Sequence, residues 1–190
     1  MPAEPFTALT SAAPGPQKAG DDEAARAHSR RLADLIRAEA ASRGGALPFD
    51  RFMELALYAP GLGYYVAGAP TFGPGGDFVT APTISPLFGH CLAHQCGEVL
   101  AVCGGGDILE LGAGTGELAA DILDGLKAGE GPPDLYLILE PGPALRERQR
   151  ALLEARHPDL IDRVHWIDRL PRAFSGVLVA NEVMDALPVH

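Results

Sequence analysis

Asp107-Ile108-Leu109-Glu110-Leu111-Gly112-Ala113-Gly114-Thr115-Gly116 is the stretch on which the fold turns. A short apolar strand runs straight into a loop with glycine at every second position, and an amphipathic helix follows. Glycines this closely spaced let the backbone take positive φ and approach a ligand with no Cβ in the way. The helix start beside them offers unpaired N–H groups. A parallel α/β sheet builds a nucleotide or nucleoside site in this way, at the carboxyl end of its first strand.

Downstream, helices and strands alternate. A helix is expected over about 116–127, with Leu118, Ile122 and Leu126 on one face, and then the strand Leu135-Tyr136-Leu137-Ile138-Leu139-Glu140. A helix over about 143–156 turns Leu145, Leu152 and Leu153 inward, and Val164-His165-Trp166 and Val177-Leu178-Val179-Ala180 supply two further strands. Near-continuous apolar strands alternating with amphipathic helices indicate an α/β fold, a doubly wound parallel sheet of the Rossmann-like kind. The expected strand order is 3-2-1-4, which leaves the fourth strand as a free edge.

Upstream, Leu32, Leu35, Ile36 and Ala40 recur at helical spacing, which predicts a helix from Ser29 to Ser42, ended by Gly44-Gly45. Phe49, Phe52, Met53, Ala56 and Leu57 form a second apolar stripe, read as core packing and closed by Pro60-Gly61. Residues 59–82 carry six glycines and four prolines, too many for regular structure, yet Tyr64, Tyr65 and Phe78 argue against disorder. An ordered loop over a site is expected there. Ser85 to Val102 reads as a helix, with Ser85 as N-cap, Pro86 in the first turn and Gly104-Gly105-Gly106 as the stop. His90 and His94 lie four apart on it, but Cys91 stands where a zinc helix of the H-E-x-x-H type has its glutamate, so no metal site is expected. Three segments follow: a disordered tail over 1–28, a helical region with a glycine-rich loop over 29–104, and the amino-terminal half of a cofactor-binding domain over 105–190.

Composition narrows the function. The chain has 190 residues, 47% of them hydrophobic and 21% charged, as in a soluble globular domain. Its 25 acids against 15 bases give a net charge of −10, and lysine occurs only at Lys18 and Lys127. That speaks against nucleic acid and against an anionic membrane surface as partners. Cys91, Cys96 and Cys103 make no even disulfide framework, so a reducing compartment is expected. Residues 1–28 lack an apolar stretch and carry Asp21-Asp22-Glu23, unlike a secretory or mitochondrial leader, which points to the cytoplasm.

The ligand can be narrowed as well. A dinucleotide fingerprint would place its third glycine at 117, where the residue is Glu117, a carboxylate that would face a pyrophosphate. The pattern is instead acid-x-G-x-G-x-G from Glu110 through Gly112, Gly114 and Gly116. It suits a ligand with a cationic centre and no phosphate, as in S-adenosyl-L-methionine. Glu140 closes the second strand, where an acid receives two ribose hydroxyls. Asp168, just past the third strand, is placed to accept from an adenine amino group, with Trp166 or Ile167 lining the base. Asn181, Glu182 and Asp185 gather at the carboxyl end of the fourth strand, able to orient a substrate nitrogen or the methionine end of a cofactor; a plain helix cap is the alternative.

Four segments, in order, resemble the MidA family of class I S-adenosylmethionine-dependent methyltransferases. They are Met53-Glu54-Leu55-Ala56-Leu57-Tyr58-Ala59-Pro60-Gly61-Leu62-Gly63-Tyr64-Tyr65, Gly76-Asp77-Phe78-Val79-Thr80-Ala81-Pro82-Thr83-Ile84-Ser85, Leu109 through Gly116, and Asn181 through His190. The resemblance runs from about residue 29 to the last; family members continue beyond the Asn181 motif with more strands, which together with the free edge of the fourth strand implies that the chain is the amino-terminal part of a larger protein. It implies a protein-arginine methyltransferase, with mitochondrial relatives modifying a respiratory complex I subunit. It puts Gly112, Gly114 and Gly116 at the cofactor, Glu140 at its ribose, and Gly76, Asp77 and Thr80 at the rim of the site. Glu182 and Asp185, with Asn181, are the candidates to hold a guanidinium. Two positions depart from the family pattern: Thr83 where a glutamate is common and Gly142 where a serine is. Two other functions stay open, a nicotinamide-dependent oxidoreductase, which Glu117 disfavours, and an assembly protein that keeps the cofactor fold without turnover.

Overall fold

The computed structural model describes residues 19–67 and 80–190. Six helices and four strands occur among them: α1 (Ala19–Ser42), α2 (Phe49–Tyr58), α3 (Ala81–Ile84), α4 (Leu87–Cys103), β1 (Asp107–Leu111), α5 (Glu117–Ala128), β2 (Tyr136–Leu139), α6 (Pro143–Arg156), β3 (Val164–Ile167) and β4 (Gly176–Ala180). The sheet is parallel throughout, in the order β3-β2-β1-β4, as the alternation required. In register, Ile108 faces Tyr136 and Val177, and Tyr136 faces Val164. Side chains alternate across a strand, so this row lies on one face of the sheet. It joins Ala93, Cys96 and Leu100 of α4, Leu118, Ile122, Leu123 and Leu126 of α5, and Leu153 of α6 in a single core.

α4 and α5 approach closely because small residues meet across them. A Cβ at Gly89 would lie 2.3 Å from the Asp121 Cβ, and one at Gly125 2.5 Å from the Ala93 Cβ. The buried Asp121 carboxylate is held by Arg156 at 2.8 Å. The same guanidinium bonds Asp124, whose other oxygen lies 3.6 Å from the wholly buried His157.

Three expectations change. α1 begins at Ala19 rather than Ser29, so the end of the segment read as a disordered tail is helical, and His28 lies 2.8 Å from the Leu62 carbonyl. On α2 the stripe read as core is turned outward at its first turn. Phe49 is 62% exposed and stacks on the exposed Phe52, while Leu55 and Ala59 are the buried positions. α2 lies against α1 through Arg51, whose guanidinium grips Glu39 of α1 at 2.7 and 2.9 Å. Finally, Ser85 does not begin a long helix. It closes the short α3, and its hydroxyl accepts the Leu87 N–H at 3.2 Å at the start of α4.

Candidate active site

The carboxyl ends of β1, β2 and β4 open on one cleft, the place where an open parallel α/β sheet binds its ligand. The β1 loop forms its floor. Gly112, Gly114 and Gly116 all have positive φ, at 62°, 55° and 97°, a conformation that costs other residues roughly 1–2 kcal/mol each. A Cβ at Gly114 would meet nothing within 4 Å, so the loop keeps its backbone bare toward the cleft. Glu117 opens α5 and lines the same cleft.

Two carboxylates face this floor from within the protein. Glu110 is 2% exposed and accepts the Tyr136 hydroxyl at 2.7 Å. Burial pushes its pKa up to about 7; the Tyr136 bond pulls it down and the Glu140 charge pushes it further up. Glu140, 4% exposed, accepts from the Gly142 N–H at 2.8 Å and from the Gln149 amide at 3.3 Å. Its pKa is also raised by burial, against which Gly142, Gln149 and Arg146 act. Gly142, one of the two departures noted above, supplies this contact through its backbone, which the residue type does not alter.

The opposite wall comes from three segments. The turn after α2 folds back on that helix, with Tyr64 N–H donating to Ala56 O at 2.9 Å and Tyr65 N–H to Leu57 O at 3.0 Å. Tyr65 thereby stacks on Tyr58 with ring centroids 5.7 Å apart, and both line the cleft. Burial raises the pKa of both phenols, and the Asp185 charge adds to it. Thr80 and Thr83 line it from α3; the Thr80 N–H donates to Thr83 Oγ1 at 3.1 Å and that hydroxyl donates to Thr80 O at 2.8 Å. Thr83, the second departure, thus closes the turn on its own. After β4, Asn181, Glu182, Val183 and Ala186 complete the lining. Tyr58 ties this segment down by donating to Ala186 O at 2.9 Å. Glu182 has φ 52°, and among the described residues it is the one non-glycine with positive φ, a strain typical of functional segments.

The residues named from sequence separate into three groups. Glu110, Gly112, Gly114, Glu140, Thr80, Asn181 and Glu182 border one cleft. Gly116 sits behind the loop, where its Cβ would lie 3.2 Å from the Gln149 Cα, and Asp185 is exposed beside the tyrosine pair. Asp168 stands apart. It pairs with Arg146 at 2.7 Å with its side chain 87% exposed, and borders a neighbouring hollow that shares Glu140 and Pro141 with the cleft. Trp166 turns its indole N–H to Gln149 Oε1 at 2.8 Å. Gly76 and Asp77 lie outside the described residues. Sequence reasoning missed Tyr58 as a wall residue and Gln149 altogether; the signal for Gln149 was an amide on the inward stripe of α6, between Leu145 and Leu153.

Comparison with known proteins agrees with this architecture. Residues 91–190 match the family model described as "Putative S-adenosyl-L-methionine-dependent methyltransferase". A crystal structure of a candidate methyl transferase from Burkholderia thailandensis, bound to S-adenosyl-homocysteine, superposes with a TM-score of 0.82 at 48% identity; the match covers 93% of this chain and 45% of that one. The protein arginine methyltransferase NDUFAF7, mitochondrial, of Danio rerio is 34% identical over 172 residues, 77% of this chain and 40% of the relative. The Drosophila melanogaster homologue is 31% identical over 182 residues, 84% of this chain and 41% of its own. The chain thus spans about two fifths of the length of these curated relatives, and it belongs to the MidA family of S-adenosylmethionine-dependent methyltransferases.

Proposed function

We propose that this chain forms the cofactor-binding part of an S-adenosyl-L-methionine-dependent methyltransferase that modifies arginine on a protein substrate. The observation that carries the reading is the bare, positive-φ glycine floor flanked by two buried carboxylates, Glu110 and Glu140. These residues fit the cofactor. A cleft edged with carboxylates favours a cation, and Glu117 at the start of α5 repels a pyrophosphate where a dinucleotide would need it. The bound S-adenosyl-homocysteine of the Burkholderia neighbour and the names of the animal relatives support the cofactor and the arginine acceptor respectively.

When bound, S-adenosyl-L-methionine supplies an electrophilic methyl group on a sulfonium centre, open to in-line displacement by a nitrogen lone pair. The chain's own part is to bind, orient and exclude water. Glu140 takes the ribose hydroxyls, and the glycine loop lets the nucleoside reach the backbone. Tyr58, Tyr65, Thr80 and Thr83 close the cleft against solvent. Glu182, at the lip, and Asp185, beside the tyrosines, hold the guanidinium, and their charge localises its positive end so that one nitrogen keeps a usable lone pair. Asn181 orients that nitrogen. Asp168 accepts from the adenine amino group through Oδ2, while Oδ1 stays paired with Arg146. The acceptor protein is a subunit of respiratory complex I or its counterpart. The cytoplasmic location read from composition is likewise a proposal, and the animal relatives are named as mitochondrial. Among the described residues no helix is long and apolar enough to cross a membrane.

Calorimetric titration with S-adenosyl-homocysteine and with NAD is the first test, and saturable binding of the nucleotide alone would refute the reading. Transfer of a labelled methyl group from the cofactor to protein, followed by hydrolysis to methylarginine, tests the acceptor. Label recovered only on lysine or on small molecules would refute arginine.

A further inference from the structure

Gln149 is wholly buried on the inward stripe of α6, between Leu145 and Leu153, where packing alone would be served by leucine. A buried amide is unfavourable unless its hydrogen bonds are made, and here both ends make them. The NH₂ group donates to Gly114 O at 2.8 Å and to Glu140 Oε2 at 3.3 Å, and Oε1 accepts the Trp166 indole N–H at 2.8 Å. The amide cannot be turned the other way round. An indole N–H only donates, while a backbone carbonyl and a carboxylate only accept. The Gln149 Cα also backs Gly116, closely enough that a Cβ there would lie at 3.2 Å. One side chain therefore touches the β1 loop, the acid after β2 and the end of β3. Glu140, with Oε1 held by Gly142 and Oε2 by Gln149, has its carboxylate plane fixed and keeps one face of lone pairs for a ligand.

We propose that Gln149 is the positioning residue of this site: it aims the Glu140 carboxylate at a sugar diol. The inference rests on the cofactor reading above and adds the residue through which Glu140 acts. It carries a consequence that a merely structural role lacks. Loss of the amide should weaken a ligand bearing the diol and leave one without it unaffected.

The test uses the intact protein, with S-adenosyl-homocysteine and its 2′,3′-dideoxy analogue as probes, in wild type, Gln149→Met and Gln149→Glu. A hydrogen bond to a charged group corresponds to roughly tenfold or more in affinity. Wild type is expected to bind the dideoxy analogue at least tenfold more weakly than S-adenosyl-homocysteine. Gln149→Met should bind S-adenosyl-homocysteine about tenfold more weakly and the analogue as wild type does. An equal loss for both ligands, or for neither, overturns the positioning role. If wild type itself does not distinguish the two ligands, the reading of Glu140 as the diol partner fails instead. Gln149→Glu keeps the volume and the Trp166 acceptor; buried beside Glu140, its carboxyl retains a proton and donates it to Oε2, so this variant should bind both ligands more nearly as wild type does. Trp166 is the chain's single tryptophan, so its indole N–H resonance gives a readout in unmutated protein. It should move on binding S-adenosyl-homocysteine and move markedly less with the dideoxy analogue; equal movement with both overturns the proposal even if neither variant folds.

Discussion

Replacing Glu110 by glutamine should change how stability and ligand affinity depend on pH, and the structure sets the size of the change. The Glu110 carboxyl is 2% exposed, and burial carries its pKa from 4.5 to about 7. The folded protein therefore holds this proton to a higher pH than the unfolded chain. The resulting stability is fully present below pH 4.5 and is lost as pH rises through 7. At 1.36 kcal/mol per unit, the 2.5-unit difference is worth roughly 3 kcal/mol. Glutamine keeps the shape and an acceptor for the Tyr136 hydroxyl and cannot ionise. In urea unfolding without ligand, Glu110→Gln should differ from wild type by about 1 kcal/mol or less at pH 5. It should be more stable by about 3 kcal/mol at pH 8. Cys96 and Tyr136, which sense this carboxyl, are held above their ordinary values of 9.0 and 10.0, so both stay neutral at pH 5 and at pH 8. A cationic ligand beside Glu110 reverses the balance by favouring its charged form. Wild-type affinity for S-adenosyl-L-methionine should thus climb between pH 6 and 8, with proton release seen by calorimetry in buffers of different ionisation enthalpy. A variant that keeps the wild-type pH profile, in stability or in affinity, would refute the argument.

Three further substitutions separate ligand contacts from scaffold. Gly114→Val enters a φ of 55° with no atom within 4 Å of its Cβ, so it should lose only about 1–2 kcal/mol of stability. Its branched side chain would fill the cleft floor, and S-adenosyl-homocysteine should no longer raise the melting temperature. Tyr58→Phe removes the bond to Ala186 O, worth about 1 kcal/mol. It should raise KM for the protein acceptor severalfold and leave the dissociation constant of S-adenosyl-homocysteine within about twofold. Arg156→Met strips the buried Asp121 of its cation and should cost about 2–3 kcal/mol in denaturant unfolding, with ligand affinity per folded molecule unchanged.

The sheet was legible because its signals are local and redundant. The strands from Asp107 to Ala180 each read as an apolar run, and the helices after β1 and β2 each carry a matching inward stripe. The glycine loop was legible for a related reason, since three alternate glycines have few uses besides a backbone that must stay bare and left-handed. Periodicity shows that α2 has an apolar stripe; it cannot show that Arg51 pairs with Glu39 of α1 and that Phe49 and Phe52 face outward. Asp168 stands at a strand's carboxyl end, as the reasoning required, but its partner Arg146 is distant in sequence and lies on α6. Gln149 escaped notice because a polar residue inside an apolar stripe looks like noise until its three partners are seen together.

Those partners also explain why the helical region and the sheet cannot be separated at the level of the site. The floor and the buried acids belong to β1 and β2, but the wall facing them belongs to Tyr58, Tyr65, Thr80 and Thr83, all upstream of the sheet. Tyr58 bonds the segment after β4, and a Cβ at Gly142, which pins Glu140, would lie 3.4 Å from Tyr65 O. The turn that carries the aromatic pair thus lies beside Gly142, which holds Glu140, as well as beside the proposed acceptor end. A small change in the position of α2 would move the two ends together. Selection on this surface would act on the distance between donor and acceptor, the quantity that governs an in-line transfer in which the protein's main contribution is alignment.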